Sequence, residues 1–320
     1  MAAGPEPAVA EVRAAVRRFL AAHVTGRSVA VACSGGPDSL ALSEATVHCG
    51  SRGGLEVHGL VVDHGLQPGS DRVAEEAVTV LRELGCATAT VLRATVDGVG
   101  GPEAAAREAR YAALRSAAGR GVPVLLGHTR DDQAETVLLG LGRGSGPRSI
   151  AGMRECDPPW GRPLLGVSRS TTATACTALG LAPWSDPHNR DPRFRRVRLR
   201  TEVLPLLEDV LAGGVAAALA RTAAQLREDL DVLDESAAAL LASARRGDGG
   251  TLDVEVLASA PAALRRRALR SWLLSAGVGD LTDAQLRSSD ELVGRWRGQG
   301  PVALPGSFVV RRAHGRLHVD

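Results

Sequence analysis

The stretch SVAVACSGGPDSLAL, residues 28 to 42, decides the fold of this 320-residue chain. Six small or β-branched residues lead into two glycines, and an apolar helical run follows directly. A buried strand that passes through a glycine turn into a helix is typical of α/β proteins. The two glycines allow a tight turn, so that backbone N–H groups and the helix N-terminus face a polyphosphate without any lysine. Ser and Asp beside Gly also form ordinary turns and caps, but the flanking strand and helix favour the phosphate site.

The same strand-then-helix pattern recurs three times, and it predicts a Rossmann-like parallel sheet. Further strands are expected at residues 55 to 62, 87 to 92 and 122 to 127, with amphipathic helices at 71 to 84 and 102 to 118. Alternation of this kind implies helices on both faces of the sheet. Ligand sites in such sheets lie outside the carboxyl ends of the strands, so residues that follow each strand are the informative ones.

The remaining pattern divides the chain into three parts. Residues 1–202 form the predicted nucleotide-binding domain, and an Ala/Leu-rich helical pattern at 203–246 is interpreted as a linker helix. Residues 250–320 are expected to form a small α+β domain, with helices near 262 to 276 and 283 to 296 and strand-like segments at 307 to 311 and 316 to 319.

Composition excludes several classes of protein. All 38 basic residues are arginine, which removes phosphate-loop NTPases and Schiff-base enzymes, because both need a lysine. Five cysteines without a C-x-x-C pair fit neither a disulfide framework nor a zinc knuckle. The sequence shows no signal peptide and no apolar run long enough for a membrane span, so we expect a soluble, cytoplasmic protein.

Three carboxylates follow the fourth predicted strand. Asp132 and Glu135 are three residues apart and therefore share one face at a helix start, where they can bind magnesium or a substrate ammonium. Asp131 lies beside them. The alternative is an ordinary helix start, in which Asp131 or Asp132 is the N-cap and Glu135 completes a box-like pair.

Asp38 and Ser39 open the helix after the glycine turn, where they can hold magnesium or a phosphate oxygen. His64 and His128 each follow a strand without a ligand-spaced partner. A zinc site is therefore improbable, and each histidine is expected to contact the nucleotide or to make a structural hydrogen bond.

In this order, four blocks resemble the ATP-pyrophosphatase (PP-loop) superfamily and, within it, the tRNA(Ile)-lysidine synthetases. The blocks are SGGPDS at 34 to 39, DHGL at 63 to 66, AAAREARYAAL at 104 to 114 and GHTRDDQAET at 127 to 136. The resemblance extends over nearly the whole chain.

The later part of the chain carries the same resemblance. Residues 184 to 205, which include Asn189, Asp191 and the stretch RVRLR at 196 to 200, are similar to a conserved family segment, except that Val197 stands where the family usually has Asn. Residues 286 to 312 resemble the first C-terminal domain of that family. No second such domain follows, so we expect the short form of the family.

The resemblance implies a ligase reaction with ATP and Mg²⁺. ATP adenylates the C2 carbonyl oxygen of the wobble cytidine in a CAU-anticodon tRNA(Ile), and L-lysine then displaces AMP, giving lysidine and switching codon reading from AUG to AUA. An oxygen esterified to phosphate is the better leaving group, which explains this order. The resemblance also leaves a homodimer open.

Where residues of this chain match the motifs of the family, the resemblance implies a role for each of them. The implied catalytic residues are Asp38, Asp132, Glu135, Arg107 and Arg110, with Glu135 as the candidate for the lysine ammonium. The implied nucleotide-binding residues are Ser34, Gly35, Gly36, Pro37, Asp38, Ser39, Asp63, His64, Gly127 and His128. The implied magnesium ligands are Asp38, Asp131 and Asp132.

The remaining basic and aromatic residues give weaker signals. Two Arg three apart on a helix are more often a solvated face, and this is the alternative for Arg107 and Arg110. The arginines at 193 to 200 and those of the C-terminal domain suit contact with the tRNA backbone. Tyr111, Trp184 and Trp296 can stack on bases, but tryptophan is usually core, and no role is assigned to them.

Three alternatives remain. A tRNA sulfur transferase uses the same adenylation, but it normally needs catalytic cysteines, often in C-x-x-C pairs. A regulatory module would bind ATP and transfer nothing, although here the glycine turn and the carboxylates are intact together. An amidotransferase would need a glutamine-hydrolysing domain, for which the sequence has no candidate.

Overall fold

A computed structural model describes residues 5–65, 69–94, 102–144, 146–186, 191–247 and 250–320. The chain divides into two compact units, Met1–Gln225 and Leu226–Asp320. Their boundary falls inside a helix that belongs to the expected linker. The division into 1–202, 203–246 and 250–320 stays a prediction.

The first unit is built from alternating helices and strands. In chain order they are α1 (Pro7–His23), β1 (Ser28–Cys33), α2 (Pro37–Arg52), β2 (Glu56–Asp63), α3 (Ser70–Leu84), β3 (Thr88–Arg93), α4 (Pro102–Ala118), β4 (Val124–Leu125), α5 (Arg130–Arg143), α6 (Pro147–Ile150), β5 (Cys156–Asp157), β6 (Trp160–Gly161), α7 (Arg169–Ala178), α8 (Arg195–Arg198), α9 (Leu204–Val210) and the first part of α10 (Val215–Ala244).

These strands form one six-stranded sheet in the order β3-β2-β1-β4-β6-β5. All neighbours pair in parallel except β5 and β6, which form an antiparallel edge. The predicted Rossmann-like α/β fold is confirmed. β4 is shorter than the run at 122 to 127, and Pro123, directly before it, has no N–H to extend the ladder.

Side-chain alternation along the strands buries both faces of this sheet. In β1, Val29 and Val31 enter the larger core with residues of α1, α2, α3 and α7. Ala30 points to the opposite face, where Leu114 of α4 and Trp160 complete a smaller core. Successive residues of a strand point to opposite faces, so one short apolar strand contributes to both cores.

The helical pattern expected as one linker helix is interrupted. α8 continues through one π-helical turn, Leu199–Val203, into α9, and the chain then turns before α10 begins. Gly213 and Gly214 have positive φ angles of 89° and 77°, which a helix does not allow. Glu208 accepts hydrogen bonds from the backbone N–H groups of Val215 and Ala216, and so caps the new helix.

The second unit contains the rest of α10 and a small antiparallel sheet. Its elements are β7 (Arg245–Arg246), β8 (Thr251–Asp253), α11 (Val254–Ala258), α12 (Ala262–Ser275), α13 (Asp283–Gly294), β9 (Val302–Ala303), a 3-10 turn (Pro305–Ser307), β10 (Val309–Ala313) and β11 (Arg316–Val319). The strand order is β7-β8-β11-β10-β9. Trp272, Leu273 and Leu269 are buried in its core. The expected small α+β architecture is thus present.

Among the helices that the structure describes, none is by itself long and apolar enough to cross a membrane. The bent pair Arg195–Val210 and Val215–Ala244, taken together, meets that requirement of length and composition.

Candidate active site

The glycine turn places the N-terminus of α2 at the carboxyl end of β1. Gly35 has a φ of 79°, and Pro37 occupies the first turn of α2, where its missing N–H costs nothing. The hydroxyl of Ser39 accepts from the backbone N–H of Ser34 over 3.1 Å and donates to the carbonyl of Gly36 over 2.9 Å. In the described structure no side chain caps this helix at Gly36. The first N–H groups of α2 are therefore suited to a phosphate.

Gly127, two residues after β4, allows the backbone to approach this loop closely. A Cβ at this position would lie 3.1 Å from the backbone carbon and oxygen of Asp38 and from the nitrogen of Ser39. A larger residue would push β4 away from the helix N-terminus. The contribution of Gly127 visible here is therefore to packing around the loop.

One arginine, Arg169, contacts several carboxylates of the site. Arg169, at the start of α7, approaches Asp132 Oδ1 at 2.7 Å, Glu135 Oε1 at 3.4 Å and Asp38 Oδ2 at 3.5 Å. Its backbone N–H also donates to Asp131 Oδ2 over 2.9 Å. A guanidinium has five donors in a fixed fork, which allows a single side chain to hold several carboxylates. Arg169 thus contacts the four carboxylates that were predicted as catalytic residues or magnesium ligands.

Glu135 is fully buried and has further arginine partners. Arg200 donates from Nε to Glu135 Oε1 over 2.8 Å, and Arg196 Nη1 lies 3.9 Å from Oε2. The π-helical turn that contains Arg200 follows α8 directly, and such turns occur frequently at functional sites. A substrate ammonium at Glu135 would therefore take a place beside, or instead of, a guanidinium.

The helix start of α5 uses Asp132 rather than Glu135. Thr129 is the N-cap, and its backbone N–H and hydroxyl both donate to Asp132 Oδ2 over 2.8 Å. The helix start expected as the alternative is therefore present, but Asp132 is the partner of the N-cap in the capping box, Thr129 is the N-cap, and Glu135 takes no part in the box. Asp132 Oδ1 remains on the side of Arg169, so one carboxylate both caps the helix and faces the site.

The two aspartates nearest the loop differ in electrostatics. Burial raises the pKa of Asp38, although a hydrogen bond from the Thr172 hydroxyl and the charge of Arg169 oppose this rise. Asp132 is also desolvated, but Arg169 and the hydrogen bonds from Thr129 hold its pKa below the ordinary value. Two nearby carboxylates with pKa values moved apart are typical of functional sites.

Two buried histidine nitrogens lack partners. Nδ1 of His64 and Nδ1 of His128 are buried without a hydrogen bond among the described residues. Burial lowers the pKa of both, to about 3 for His128, and the nearby Arg110 acts in the same direction. Neutral imidazoles with unsatisfied nitrogens fit a polar ligand such as a nucleotide.

The other predicted site residues lie outside the group of carboxylates around Arg169. Asp63 accepts from the backbone N–H of Gly65 over 2.9 Å, the turn interaction that lowers its pKa. Arg107 is exposed and donates to the hydroxyl of Tyr111 over 3.2 Å, whereas Arg110 is half-buried. Leu66, Pro187 and Asn189, which belong to motifs of the resemblance, lie outside the described residues.

The arginines expected to contact tRNA are partly engaged inside the protein. Besides Arg196 and Arg200 at Glu135, Arg193 pairs with Asp191 over 2.6 Å and Arg198 pairs with Glu202 over 2.8 Å. Val197, at the position of the expected Asn, is buried. This segment therefore helps to build the site, in addition to any contact with RNA.

In the second unit, Arg265 is buried and bonded to Asp290, and Arg267 pairs with Asp234 over 2.6 Å. Both are structural. Trp296, by contrast, is 40% exposed, and the guanidinium of Arg312 lies 4.9 Å from its ring centre. Arg312 also donates to the carbonyl of Leu292 over 3.0 Å, which holds it on the ring.

Sequence reasoning missed Arg169 and Thr172. Both lie on α7, far from the motifs in sequence, and neither forms part of a recognisable pattern. The adjacent Ser168, an N-cap residue, marks a helix start but does not indicate which carboxylates that helix faces.

The fold and this site together define the PP-loop class of ATP-using enzymes. A family model described as the PP-loop domain matches residues 9–207, and one described as the TilS substrate binding domain matches residues 252–318. The curated relatives agree over nearly the full length. The tRNA(Ile)-lysidine synthase of Rhodococcus jostii is 60% identical, covering 98% of this chain and 96% of its own. That of Nocardia farcinica is 61% identical, covering 96% of each.

The chain belongs to the tRNA(Ile)-lysidine synthase family. The enzyme of Mycobacterium tuberculosis strain H37Rv is 56% identical, covering 93% of this chain and 91% of its own. Among solved structures, the U34-tRNA thiolase NcsA from Methanococcus maripaludis superimposes with a TM-score of 0.58 at 19% identity, covering 69% of this chain and 80% of its own. That likeness shows the fold alone.

Proposed function

We propose that this chain is an ATP-dependent ligase that joins L-lysine to C2 of the wobble cytidine in a CAU-anticodon tRNA(Ile). The observation that carries the proposal is the cluster of Asp38, Asp132 and Glu135 around Arg169, beside an uncapped helix N-terminus, in a chain of this family. The loop at residues 34 to 39 supplies N–H groups for the departing pyrophosphate.

The reaction proceeds in two displacements. The C2 carbonyl oxygen of cytidine attacks the α-phosphorus of ATP, and the bond to the bridging oxygen of pyrophosphate breaks. The side-chain amine of lysine, after losing a proton, then attacks C2. The bond between C2 and the adenylated oxygen breaks, and AMP leaves with that oxygen. The first step turns the C2 oxygen, a poor leaving group, into part of AMP, a better one, and the second step expels it.

The chain's own residues position these reactants. His64 and His128 are half-buried and their lowered pKa values keep the imidazoles neutral, so that the buried Nδ1 atom of each is available for the nucleotide. Asp38 and Asp132 are our candidates to hold Mg²⁺, with Asp131 as a further candidate. Magnesium commonly needs only one or two protein carboxylates, because phosphate oxygens and water complete its shell. When bound, Mg²⁺ offsets negative charge that builds up on the phosphoryl oxygens.

Glu135 is our candidate for the lysine ammonium. Its burial and its contacts with Arg169 and Arg200 hold the carboxylate in one orientation. A competing role for Glu135 is to position these two arginines, and a change in lysine affinity separates the two roles.

The second unit is proposed to hold the tRNA. Its match to a substrate binding domain and the exposed Trp296, stacked on Arg312, support this. An exposed indole next to arginine is suited to stacking on an unpaired base. The cytoplasmic location and a homodimer belong to the same proposal, and light scattering of the purified chain tests the dimer.

The cysteines disfavour the sulfur-transferring alternative. Burial raises the pKa of all five thiols, to about 11 for Cys86 and Cys176. Since the thiolate is the reactive form, thiols with raised pKa values are poor sulfur carriers.

The decisive experiment measures what is attached to the RNA. With ATP, Mg²⁺ and labelled L-lysine, the chain should label the wobble cytidine of CAU-anticodon tRNA(Ile) and release AMP and pyrophosphate. Elongator tRNA(Met), which has the same anticodon, should remain unlabelled. Asp38→Ala should abolish labelling, whereas Asp71→Ala, an exposed acid at the start of α3, should not. Thiolation in place of lysine transfer, or ATP binding without either product, would refute the proposal.

A further inference from the structure

A cavity lined mainly by cationic side chains lies in the first unit, between α1 and α2. Its volume is about 350 Å³, and it is lined by Pro5, Ala10, Arg13, Arg17, His48 and Arg52. Four of these six residues carry a guanidinium or an imidazole. None of them belongs to the loop or to the carboxylate cluster.

The cavity lies away from the site already described. Asp38 opens α2, and Arg52 ends it. The two residues are 14 positions apart, which corresponds to about 21 Å along a helix. The cavity is therefore near the amino ends of the strands, whereas the loop and the carboxylates are at the carboxyl ends.

The positive charge of this cavity is only partly balanced. Arg13 pairs with Glu44. Among the residues that the structure describes, neither Arg17 nor Arg52 has a carboxylate within bonding distance, and both are exposed. Like charges held together repel each other and disfavour the folded chain. An anion in the cavity would remove that cost.

The excess of positive charge in the cavity also affects the pKa of His48. Its pKa is lowered by burial and by the charges of Arg13 and Arg52, while Glu44 acts in the opposite direction. A bound anion would cancel part of the arginine field and raise that pKa. The imidazole then becomes a further donor to the anion.

We propose that Arg13, Arg17, His48 and Arg52 form a binding site for a phosphate group, separate from the catalytic site. Guanidinium groups bind phosphate oxygens through paired N–H donors, and three of them approach this cavity from two helices. The phosphate can belong to the backbone of a bound tRNA or to a free phosphate or phosphorylated small molecule.

The first experiment uses inorganic phosphate and the full chain. The ring signals of His48, assigned with His48→Gln, are followed by NMR while phosphate is added at low salt. In the wild type they should shift saturably, and the pKa of His48 should rise. In Arg17→Ala/Arg52→Ala the saturable shift should disappear. Arg18→Ala is the matched control, because Arg18 is the next residue on α1 and does not line the cavity.

The second experiment identifies the source of the phosphate. If a tRNA phosphate binds here, the double variant should reduce the slope of log affinity against log salt by about one, with Arg18→Ala unchanged. An unchanged slope, together with the phosphate-dependent shift of His48, assigns the site to a free phosphate or small molecule. Thermal unfolding should show Arg18→Ala as stable as the wild type and the double variant at least as stable, since the double variant removes two repelling charges from the cavity.

The proposal is overturned if His48 does not respond to phosphate, or if the wild type and the double variant respond alike. It is also overturned if Arg18→Ala lowers both phosphate and tRNA binding as much as the double variant does. The phosphate measurement does not depend on the ligase reaction, so its failure leaves the proposed function untouched.

Discussion

Arg169 donates from Nη2 to Oδ1 of Asp132 over 2.7 Å, across 37 positions of sequence. This contact joins the start of α7 to the start of α5. The same guanidinium approaches Asp38 and Glu135, so its position determines how the carboxylates of the site are arranged.

Arg169→Ala is expected to lower both stability and activity. Removal of one partner of a largely buried ion pair leaves the others uncompensated, which typically costs about 3 kcal/mol in the free energy of unfolding. Denaturant unfolding measures this cost, and release of AMP measures activity. Arg193→Ala, which removes an exposed pair with Asp191, should change the unfolding midpoint little. Equal midpoints for the two variants would contradict the role of Arg169.

Thr172→Val should move the acid limb of the pH–rate profile upward. Burial raises the pKa of Asp38 above 3.8, and the hydroxyl of Thr172 opposes that rise. A hydrogen bond to a carboxylate stabilises the ionised form by roughly 1.5 kcal/mol or more, so its loss should raise the pKa of Asp38 further. If ionised Asp38 is needed, AMP formation will fail at a higher pH.

The raised pKa of Asp38 also determines whether the stability of the fold rises or falls with pH. A carboxyl with a raised pKa binds more protons in the folded chain, so its contribution to stability declines as pH rises through the folded value.

Thr177→Val, on the exposed side of α7, is the matched control for the pH–rate profile of Thr172→Val. A profile shifted equally by both substitutions would show that the hydrogen bond to Asp38 does not set the acid limb.

Glu135→Gln should raise the KM for lysine by about tenfold or more while changing the affinity for ATP little. The substitution preserves volume but removes the charge that would pair with an ammonium. Initial rates at varied lysine and varied ATP separate the two effects. Glu108→Gln, an exposed residue of α4, should behave like the wild type. If ATP affinity falls and lysine dependence stays, Glu135 positions the arginines instead.

Trp296→Ala should weaken tRNA binding about fivefold or more, because stacking on one base is worth about 1–3 kcal/mol. Trp296→Phe should retain most of the affinity, since a phenyl ring also stacks. The salt dependence of binding should be the same for both, as no phosphate contact is removed. A loss shared by the Phe variant, or a flatter salt slope, would argue against stacking.

Local features of the chain were predictable because they depend on neighbours in sequence. The strand at residues 28 to 33 and the helix at 102 to 118 were expected at the bounds that the structure shows. Apolar periodicity determines such elements within one segment. The break at Gly213 and Gly214 was missed, because the Ala/Leu-rich pattern continues on both sides and glycine alone does not require a turn.

Part of the site was equally predictable. Asp132 and Glu135 share a face because three residues make nearly one helical turn, and Asp38 follows the glycine turn in one continuous motif. The tertiary partners of these residues could not be predicted from the sequence. Thr172 bonds Asp38 across 134 positions, and Arg200 bonds Glu135 across 65. No local pattern marks either contact.

The sequence by itself determined the parallel sheet, the glycine turn between β1 and α2, the resemblance to one family and the absence of lysine from the protein. Only the tertiary structure decided that Arg169 gathers the carboxylates, that Glu135 is buried between arginines and that Arg265 is structural. The physical reason is the range of the forces involved. A motif or an apolar periodicity involves a few residues that are close in sequence. Burial and charge pairing depend on which surfaces the folded chain brings together.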